Sequence, residues 1–433
     1  MSPETIGALG FLVLFILMAI GLPIGVCMGV VGFVGLALIL PFQAAIAKMA
    51  ITPYDLVSSY TFATLPLFIL MGSVIFSTGQ GGTLFKVARK WFGRTPGGLA
   101  MASVMACAAF GAVTASALAT AATMALVALP EMKKAKYDNA LANGCVAAGG
   151  PIGSLIPPSG ILIIYGIITE NSIAQLFVGG IIPGILVAVT YIFMIGIRCW
   201  IKPELGPPGE KVPMIDKFKS LSEVWELVAL VIVSIGGLII GVFTATEAGA
   251  VGAFGAFISA AVRKKLTWQK AKEALLESMK TSGMIYGVLV GAMIFNYFCA
   301  ASNLPEHLTN WIAGFSLPPM GIMTVIIIIY IILGALMDES SIQLITLPIF
   351  YPLVMKLGFD PIWFGIVQCK LLNIGMIAPP VGITVFVIAG LDKTVPMATV
   401  YKGVMWFIYC DILIMAAFML WPQIITWLPR IMG

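Results

Sequence analysis

Two short polar segments interrupt long apolar stretches of this chain. Residues 114–116 read Thr-Ala-Ser and are followed by Thr120 and Thr123, while residues 338–341 read Asp-Glu-Ser-Ser. Hydroxyl groups, carboxylates and free backbone carbonyls are hard oxygen ligands, which suit sodium as they suit calcium and magnesium. We therefore predict that each segment is the tip of a helical hairpin and binds a sodium ion. The alternative is a polar tip in contact with water, or hydroxyls bonded to their own helix.

The acidic pair Asp338 and Glu339 is the most unusual part of the second segment. If that hairpin re-enters the membrane, an ionised carboxylate at its tip costs at least ~2.5–3.5 kcal/mol. Residues kept at such depth are usually functional. A third acidic residue, Glu247, also lies beside an apolar stretch, but the neighbouring Thr244 and Thr246 favour the outer end of a span.

A pair of adjacent prolines divides each of two further apolar stretches. Pro157-Pro158 and Pro379-Pro380 each follow a glycine by four residues. Proline removes a backbone donor and prevents a helix from continuing normally. Freed carbonyls can then bind a cation, and the amides at a half-helix N-terminus favour an anion. Irregular backbone at membrane depth is tolerated only where it is buried in protein or lines a cavity. Each pair therefore predicts a broken span at a transport site, with a purely structural kink as the alternative.

These segments recur at a nearly constant offset, which indicates an internal repeat. The two Pro-Pro stretches match at an offset of 222 residues and the two hairpin segments at 223, so the halves are 1–200 and 223–433, joined by a cytoplasmic linker at 201–222. Glycines near the start of each half match at an offset of 220. They are Gly21, Gly29, Gly32 and Gly35 in the first half and Gly241, Gly249, Gly252 and Gly255 in the second.

The repeat must position the polar segments, and both halves have the same predicted plan. The elements of the first half are helices within 5–78 (spans 5–21, 24–40 and 62–78), a hairpin over 97–130, a broken helix over 137–168 and a last span over 172–200. Those of the second are helices within 223–301 (spans 223–241, 246–262 and 281–301), a hairpin over 319–355, a broken helix over 361–391 and a last span over 399–428. Five net crossings separate matching points, so the second half is inverted. The predicted fold is an all-α polytopic membrane protein with about ten transmembrane helices and two re-entrant hairpins in two inverted repeats, the arrangement typical of secondary transporters.

Composition excludes a soluble domain. Of 433 residues, 60% are hydrophobic and 10% are charged, and the mean hydropathy is +1.05. A soluble domain carries about a quarter charged residues, because its surface faces water. The first apolar stretch lacks a basic segment before it and is too long for a cleaved signal peptide, so we expect it to remain as a span in the lipid bilayer.

The net charge of +5 follows from topology and does not indicate a nucleic-acid partner. Of the 24 Lys and Arg residues, 20 fall within the connecting stretches 79–96, 131–138, 198–222, 263–280 and 392–402. Basic residues concentrate on the cytoplasmic side of membrane proteins. We therefore expect a bacterial inner-membrane protein with these stretches in the cytoplasm and both termini in the periplasm.

Three connecting stretches, 81–94, 266–280 and 304–315, are amphipathic. Basic and aromatic residues alternate with apolar ones at helical spacing, which predicts helices lying in the membrane interface. Ordinary connecting helices are the alternative.

The sequence lacks the signals of enzyme chemistry. His307 is the sole histidine, the seven cysteines include no C-x-x-C, and no nucleotide-binding G-x-x-x-x-G-K-[ST] occurs. Nucleotide hydrolysis on this chain is therefore excluded as an energy source, and we expect buried thiols, no nucleotide and no prosthetic group. The prediction is a carrier and not an enzyme, with a passive channel as a further alternative.

The polar segments and their surroundings resemble the large membrane subunit of tripartite ATP-independent periplasmic (TRAP) transporters. The similar stretches are LPLFILMG, PGGLAMASVMACAAFGAVTASALATAATM, ANGCVAAGGPIGSLIPPSGILIIYG, LGALMDESS and GMIAPPVGITVFV. The resemblance covers nearly the whole chain. It implies an elevator-type carrier whose hairpins and broken helices form a mobile transport domain, and whose helices within 5–78 and 223–301 form a scaffold.

The resemblance also implies an activity and partners. The activity is sodium-coupled uptake of a small organic acid, such as a C4-dicarboxylate or sialic acid. The partners are a small four-helix membrane subunit and a soluble periplasmic binding protein that delivers the substrate. A stand-alone sodium/anion symporter of the divalent-anion type, which needs no binding protein, is the alternative.

Site residues are implied by the same resemblance, one sodium ion lying between each tip and the neighbouring helix break. The implied sodium ligands are Thr114, Ala115, Ser116 and Gly153 in the first half and Asp338, Glu339, Ser340, Ser341, Gly375 and Ala378 in the second. The implied substrate ligands are Ser116, Thr120, Pro157, Pro158, Ser159, Asp338, Pro379 and Pro380.

Overall fold

The computed structural model describes residues 1–209, 211–313 and 318–432, and within these ranges the regular structure is helical throughout. The helices of the first half are α1 (Pro3–Ala19), α2 (Ile24–Ile39), α3 (Phe42–Ser58), α4 (Thr64–Ser77), α5 (Gly81–Phe92), α6 (Gly98–Thr114), α7 (Ala117–Lys134), α8 (Asn139–Gly149), α9 (Gly160–Thr169) and α10 (Ile173–Ile201). Those of the linker and second half are α11 (Met214–Leu221), α12 (Trp225–Val231), α13 (Gly237–Ile239), α14 (Ala245–Val262), α15 (Trp268–Ala301), α16 (Leu304–Ala313), α17 (Pro319–Gly334), α18 (Glu339–Lys356), α19 (Pro361–Gly375), α20 (Ile383–Leu391), α21 (Met397–Leu420) and α22 (Gln423–Met432). The all-α prediction is confirmed.

Five helices of the described chain are long and apolar enough to cross a membrane by themselves, or six if the bent pair Met214–Leu221 and Trp225–Ile239 is one span. Further apolar helices of 10–17 residues are Pro3–Ala19, Ile24–Ile39, Gly98–Thr114, Gly160–Thr169 and Pro319–Gly334. A span needs about 20 apolar residues. These shorter helices are therefore too short to be counted as complete spans by length alone. The total of about ten spans stays a prediction.

Side-chain caps explain where several helices begin. Asp138 accepts a hydrogen bond from the Leu141 amide at the start of α8, and Asp360 accepts from the Ile362 and Trp363 amides at the start of α19. A cap carboxylate satisfies amides that have no partner within the helix. The two aspartates match at the repeat offset of 222, so each starts the first half of a broken helix.

Glu247 belongs to a cap of another kind, at the start of α14. The Glu247 amide donates to the Thr244 hydroxyl, and the Glu247 carboxylate accepts from the Thr244 amide. This reciprocal pair is a capping box. It explains the acidic residue beside an apolar stretch as the end of a span.

Two predicted boundaries were wrong. The separate interfacial helix at 266–280 does not exist, because α15 runs without a break from Trp268 to Ala301 and this sequence contains no proline to stop it. Conversely, the last span predicted at 399–428 is divided. Helix α21 ends at Leu420 and α22 begins at Gln423, since Pro422 between them has no amide to donate.

The other amphipathic stretches form short helices. Helix α5 buries Leu84, Phe85 and Ala88 where it packs on α6 and α7, which matches a connecting helix held on the protein. Helix α16 occupies Leu304–Ala313, while residues 314 and 315 of the predicted stretch lie outside the described residues, as do Glu210 of the linker and Gly433. Helix α3 was not predicted.

The two halves interlock. Helix α2 packs along α15 and α14 along α4, so the second span of each half lies against the third span of the other. In the same way α7 packs on α20 and α18 on α9. Each hairpin therefore contacts the broken helix of the opposite half, and the polar tips of both halves are brought toward one region.

Candidate functional site

A pair of glycines fixes each hairpin against the broken helix of its own half. A Cβ added at Gly334 of α17 would lie 2.8 Å from the Cα of Gly375 at the end of α19, and Gly111 of α6 and Gly153 meet still more closely. Backbones can approach to this distance only where neither residue has a side chain. The two contacts occupy matching positions in the repeat, and each sets a tip beside a helix break.

The first tip is a tight uncharged turn between α6 and α7. Ala115 adopts a left-handed backbone conformation with φ of 53°, and Ser116 caps α7 by accepting from the Ala119 amide at 3.3 Å. The Thr114 and Thr120 hydroxyl oxygens lie 3.0 Å apart. Thr114 also donates to the Phe110 carbonyl of its own helix, and Thr123 donates to the Ala119 carbonyl. Several hydroxyls here are thus bonded locally, as one of the alternatives predicted.

The second tip carries two carboxylates in different environments. Asp338 is exposed and caps α18, accepting from the Ser341 amide at 3.0 Å and from the Ser341 hydroxyl. In Glu339, Oε2 is buried and has no hydrogen-bond partner among the described residues. A buried carboxylate oxygen without a partner is costly. Both carboxylates of this tip can therefore accept a cation, Asp338 on the lone pairs that its cap leaves free and Glu339 through its unpaired oxygen.

Both tips line one cavity of about 580 Å³. Thr114, Ala115 and Ser116 of the first tip contribute to its wall, and so do Glu339 and Ser340 of the second. The opposite wall is made by α4 and α15. The cavity volume lies within the range of about 300–1,000 Å³ that is usual for small-molecule sites. Segments more than 200 residues apart in the sequence are thus parts of one site.

The two helix breaks lie behind the tips. Ser159 is fully buried and caps α9, accepting from the Leu162 amide at 3.2 Å. Between α19 and α20, the Thr384 hydroxyl donates to the Met376 carbonyl at 2.8 Å. The Tyr401 hydroxyl donates to the carbonyls of Pro380 and Val381. The proline pairs occupy the predicted positions, and both Pro-Pro peptide bonds are cis.

Several predicted site residues lie away from the cavity. Those that do not line its described wall are Thr120, Gly153, Pro157, Pro158, Ser159, Asp338, Ser341, Gly375, Ala378, Pro379 and Pro380. Of these, Thr120 and Ser159 are completely buried, whereas Pro379 and Pro380 are exposed. Among the described lining residues, those from the broken helices are Gly160, Ile161 and the next turn of α9.

The cavity has polar residues that the sequence did not single out. Ser73 and Ser77 of α4 and Glu273, Glu277 and Lys280 of α15 line it. The acidic and basic residues belong to the stretch predicted to lie in the membrane interface. Their spacing of four and three residues, which puts them on one helix face, was the signal that could have assigned them to a polar wall.

A buried ion pair was also missed. Lys370 of α19 and Asp411 of α21 are 2% and 1% exposed, and their charged atoms lie 2.6 Å apart. The Tyr191 hydroxyl of α10 donates to the same Asp411 oxygen at 2.7 Å. Tyr191 and Asp411 match at the repeat offset of 220, so the cluster joins corresponding spans of the two halves. A buried charge is stable only when it is paired, which accounts for Lys370 lying outside the cytoplasmic stretches.

Paired hairpin tips that share one cavity, with a broken helix packed beside each hairpin, are the architecture of a multi-pass membrane transporter. The model of the family described as "Tripartite ATP-independent periplasmic transporter, DctM component" matches residues 11–424. The chain belongs to this family, as the large permease subunit of a TRAP transporter.

Curated relatives extend over almost the entire chain. The C4-dicarboxylate TRAP transporter large permease protein DctM of Pseudomonas aeruginosa is 33% identical over 403 residues, which are 92% of each chain. The sialic acid TRAP transporter large permease protein SiaM of Vibrio cholerae is 30% identical over 413 residues, 95% of each chain. These relatives are named as permeases for different acids.

The fold is also similar to a solved structure. The crystal structure of the YdaH transporter of Alcanivorax borkumensis, described as having an unusual topology, superposes with a TM-score of 0.53 over 84% of this chain and 87% of that one. Sequence identity is 14%, so the likeness concerns the fold alone.

Proposed function

We propose that this chain is the permease of a sodium-coupled transporter that takes up a small organic acid by an elevator mechanism. The observation that carries the proposal is the shared cavity, in which the tips of both hairpins face α4 and α15. Sodium provides the energy, because its electrochemical gradient can drive an anion against its own gradient when both must bind before the carrier moves.

The proposed sodium sites use the oxygen atoms of the tips and the neighbouring breaks. In the first site the ion lies between Thr114–Ser116 and the break at Gly153. In the second it lies between Asp338–Ser341 and the break at Gly375 and Ala378, with the free oxygen of Glu339 close to the cavity. Hydroxyl, carboxylate and carbonyl oxygens suit a hard cation. The glycine contacts support both sites, because they hold each tip against a break.

The proposed substrate is a carboxylated compound bound at the cavity. Hydroxyls of Ser73, Ser77, Ser116 and Ser340 line it, and Lys280 is the one basic residue among the described lining residues. A few polar groups on a largely apolar wall are typical of sites that orient a small ligand. C4-dicarboxylates and sialic acid, named for the relatives, are the first candidates, with Ser159, Thr120 and the proline pairs approaching the ligand in other steps of the cycle.

In the proposed elevator, α4 and α15 are the fixed wall and the hairpins with the broken helices are the moving part. The cavity reaches Glu273 and Glu277, in the first turns of α15. The basic residues predict that this end of α15 is cytoplasmic. The cavity therefore supports an inward-open arrangement, with both termini in the periplasm and the protein in the bacterial inner membrane.

We further propose two partners, a small four-helix membrane subunit and a periplasmic binding protein that delivers the acid. Uptake into proteoliposomes tests the whole proposal. The chain is reconstituted with its small subunit, given a radiolabelled acid and an inward sodium gradient, and measured with and without the binding protein.

Uptake that requires both sodium and the binding protein is the expected result. Sodium-driven uptake without the binding protein would replace the tripartite proposal by a stand-alone symporter. Equal uptake with sodium and with potassium would overturn sodium coupling.

A further inference from the structure

A direct hydrogen bond joins the two helix breaks. Ser154 follows Gly153 in the first break, and Asn373 precedes Gly375 by two residues in the second half. Ser154 Oγ and Asn373 Oδ1 lie 2.5 Å apart although the residues are 219 positions apart in the chain. The two residues are 1% and 2% exposed. A side-chain hydrogen bond thus links the two segments on which the proposed sodium sites depend.

The carbonyl of Ser154 is a second point of contact. The Cys369 thiol of α19 donates to it at 3.2 Å, and the Ser159 hydroxyl at the far side of the first break donates to it as well. Side chains from both halves of the protein therefore meet at a single residue. A displacement of the first break must move these partners or break their hydrogen bonds.

Proton accounting shows how the contact is satisfied. The Ser154 hydroxyl has one proton, but both the Pro151 carbonyl, at 2.9 Å, and the Asn373 side chain are within bonding distance. The Asn373 amide nitrogen is buried without a partner among the described residues. If the amide turns by half a rotation, its nitrogen donates to Ser154 and Ser154 donates to Pro151. The Ser154–Pro151 and Ser154–Asn373 contacts then have one proton each, and the link between the breaks is kept.

We propose that the Ser154–Asn373 contact couples the two sodium sites, so that binding at one site raises the affinity of the other. This inference rests on the sodium coupling proposed above. Sodium binding orders the carbonyls of its own break. Because the breaks are joined, ordering one lowers the cost of ordering the second, which is positive cooperativity. Ser154 and Asn373 are positioning residues in this scheme and not sodium ligands.

The test is the sodium dependence of uptake by the reconstituted transporter with Asn373→Ala. The wild-type protein is expected to give a Hill coefficient for sodium above 1. In the variant the coefficient falls toward 1, and the half-saturating sodium concentration rises about fivefold or more, the lower end of usual coupling strengths. The substrate KM at saturating sodium stays unchanged, because saturating sodium orders both breaks without help.

Gln368→Ala is the matched control. Gln368 is a buried amide on the same helix, but it donates to the Tyr330 hydroxyl at 2.8 Å within its own half. The loss of a buried amide from α19 is therefore the same, while the link between the breaks remains. Gln368→Ala is expected to keep the wild-type Hill coefficient.

Ser154→Ala decides the question if Asn373→Ala fails to fold, since it deletes one hydroxyl from the same contact and is expected to lower the coefficient equally. The double variant should be no worse than either single one, because both remove one shared interaction.

The melting temperature of the purified protein, measured as a function of sodium concentration, reports the same cooperativity without transport. A variant with an unchanged Hill coefficient would overturn the coupling and leave sodium-driven uptake standing. A wild-type protein with no sodium response would overturn both proposals.

Discussion

The two hairpin tips pack in the same way against a broken helix but differ in their chemistry. Each lies beside a glycine contact between its hairpin and a broken helix, and both line the same cavity. The first tip offers hydroxyls and a left-handed Ala115, whereas the second offers Asp338 and Glu339. In the proposed sodium sites, a cation at the second tip would be partly neutralised by a nearby carboxylate, while one at the first tip would have only dipoles as ligands. The repeat therefore conserves geometry and lets the charge differ.

The glycine contacts should be equally critical in both halves, and their loss should have the largest effect. In Gly153→Ala and Gly375→Ala the new Cβ meets the backbone of Gly111 or Gly334 at a distance that real Cβ atoms do not adopt. Overpacking of this kind costs about 1–3 kcal/mol or more when backbone must move. We expect both variants to lose most of their folded yield and thermal stability in detergent.

Gly283→Ala is the control for these variants, because nothing lies within 4 Å of the new Cβ. Alanine is the better helix former by about 1 kcal/mol, so its melting temperature should stay level or rise. A stable Gly375→Ala beside an unstable Gly153→Ala would break the equivalence of the two tips.

Asp338→Asn should separate charge from structure at the second tip. Asparagine caps a helix as well as aspartate does, so the fold and expression are expected to survive. If the acidic tip neutralises a sodium ion, uptake should be abolished. Ser116→Ala in the first tip removes a neutral cap and should weaken the sodium dependence without abolishing uptake. Unchanged uptake by Asp338→Asn would contradict a role for this charge.

The contacts between each hairpin and the broken helix of the opposite half also differ in charge. Lys133 of α7 donates to Asp392 after α20 at 2.6 Å. In the other half, where α18 packs on α9, the Asn171 amide after α9 donates to the Tyr351 hydroxyl of α18 at 2.8 Å. Burial raises the pKa of Asp392, but hydrogen bonds from Lys133 and Thr394 outweigh it and hold the pKa below its ordinary 3.8. The contact in one half is thus an ion pair, and the contact in the other is a hydrogen bond between uncharged groups.

Lys133→Met should therefore cost stability in a pH-dependent way. A carboxyl group whose pKa is lowered by folding stabilises the protein above its unfolded pKa, and loses this contribution as the pH falls through the folded pKa. The melting temperature of the variant should be lower than wild type at pH 7, by the equivalent of about 1 kcal/mol. It should converge with wild type only once the pH falls through the folded pKa of Asp392, which lies below the ordinary 3.8.

Tyr351→Phe is the uncharged counterpart, because it removes the hydrogen bond from Asn171. Its loss of stability should be the same at pH 7 and at acidic pH. Lys134→Met is the control, because Lys134 is mostly exposed and its pair with Glu131 is long at 3.5 Å. A Lys133→Met deficit that persists unchanged well below pH 3.8, where Asp392 is protonated, would contradict the assignment.

The smallest effect is expected at Ala115. A non-glycine residue in the left-handed region costs roughly 1–2 kcal/mol, and glycine relieves this strain but gains entropy in the unfolded chain. Ala115→Gly should raise the melting temperature slightly, by the equivalent of about 0.5–1 kcal/mol. Ala335→Gly, in the last turn before the second tip with an ordinary helical φ of −73°, should lower it.

The sequence allowed much of the fold to be predicted, because its signals were strong and repeated. Constant offsets between the Pro-Pro pairs, the tips and Asp138 with Asp360 reflect the positions of breaks, turns and caps, which depend on local residue chemistry. Two predicted helix boundaries were wrong for the same reason. No residue ends the helix between 280 and 281, so α15 continues there, whereas Pro422 does separate α21 from α22.

The site was predicted less completely, because its composition depends on packing between distant segments. The resemblance makes Asp338 a ligand of both sodium and substrate and Glu339 a ligand of sodium alone, but the fold uses Asp338 as a cap and turns Glu339 toward the cavity. Nothing local shows that Lys370 pairs with Asp411 or that Ser154 meets Asn373. Each of these contacts joins segments that the chain separates widely.

The central claim is that sodium and the acid cross together through one cavity formed by both tips. It is tested most directly by measuring labelled sodium and labelled acid entering the same proteoliposomes, with the small subunit and binding protein present. The account predicts that sodium influx above background requires the acid, in a fixed ratio to it, and that Asp338→Asn abolishes both fluxes. Acid uptake that continues without any coupled sodium influx would contradict it.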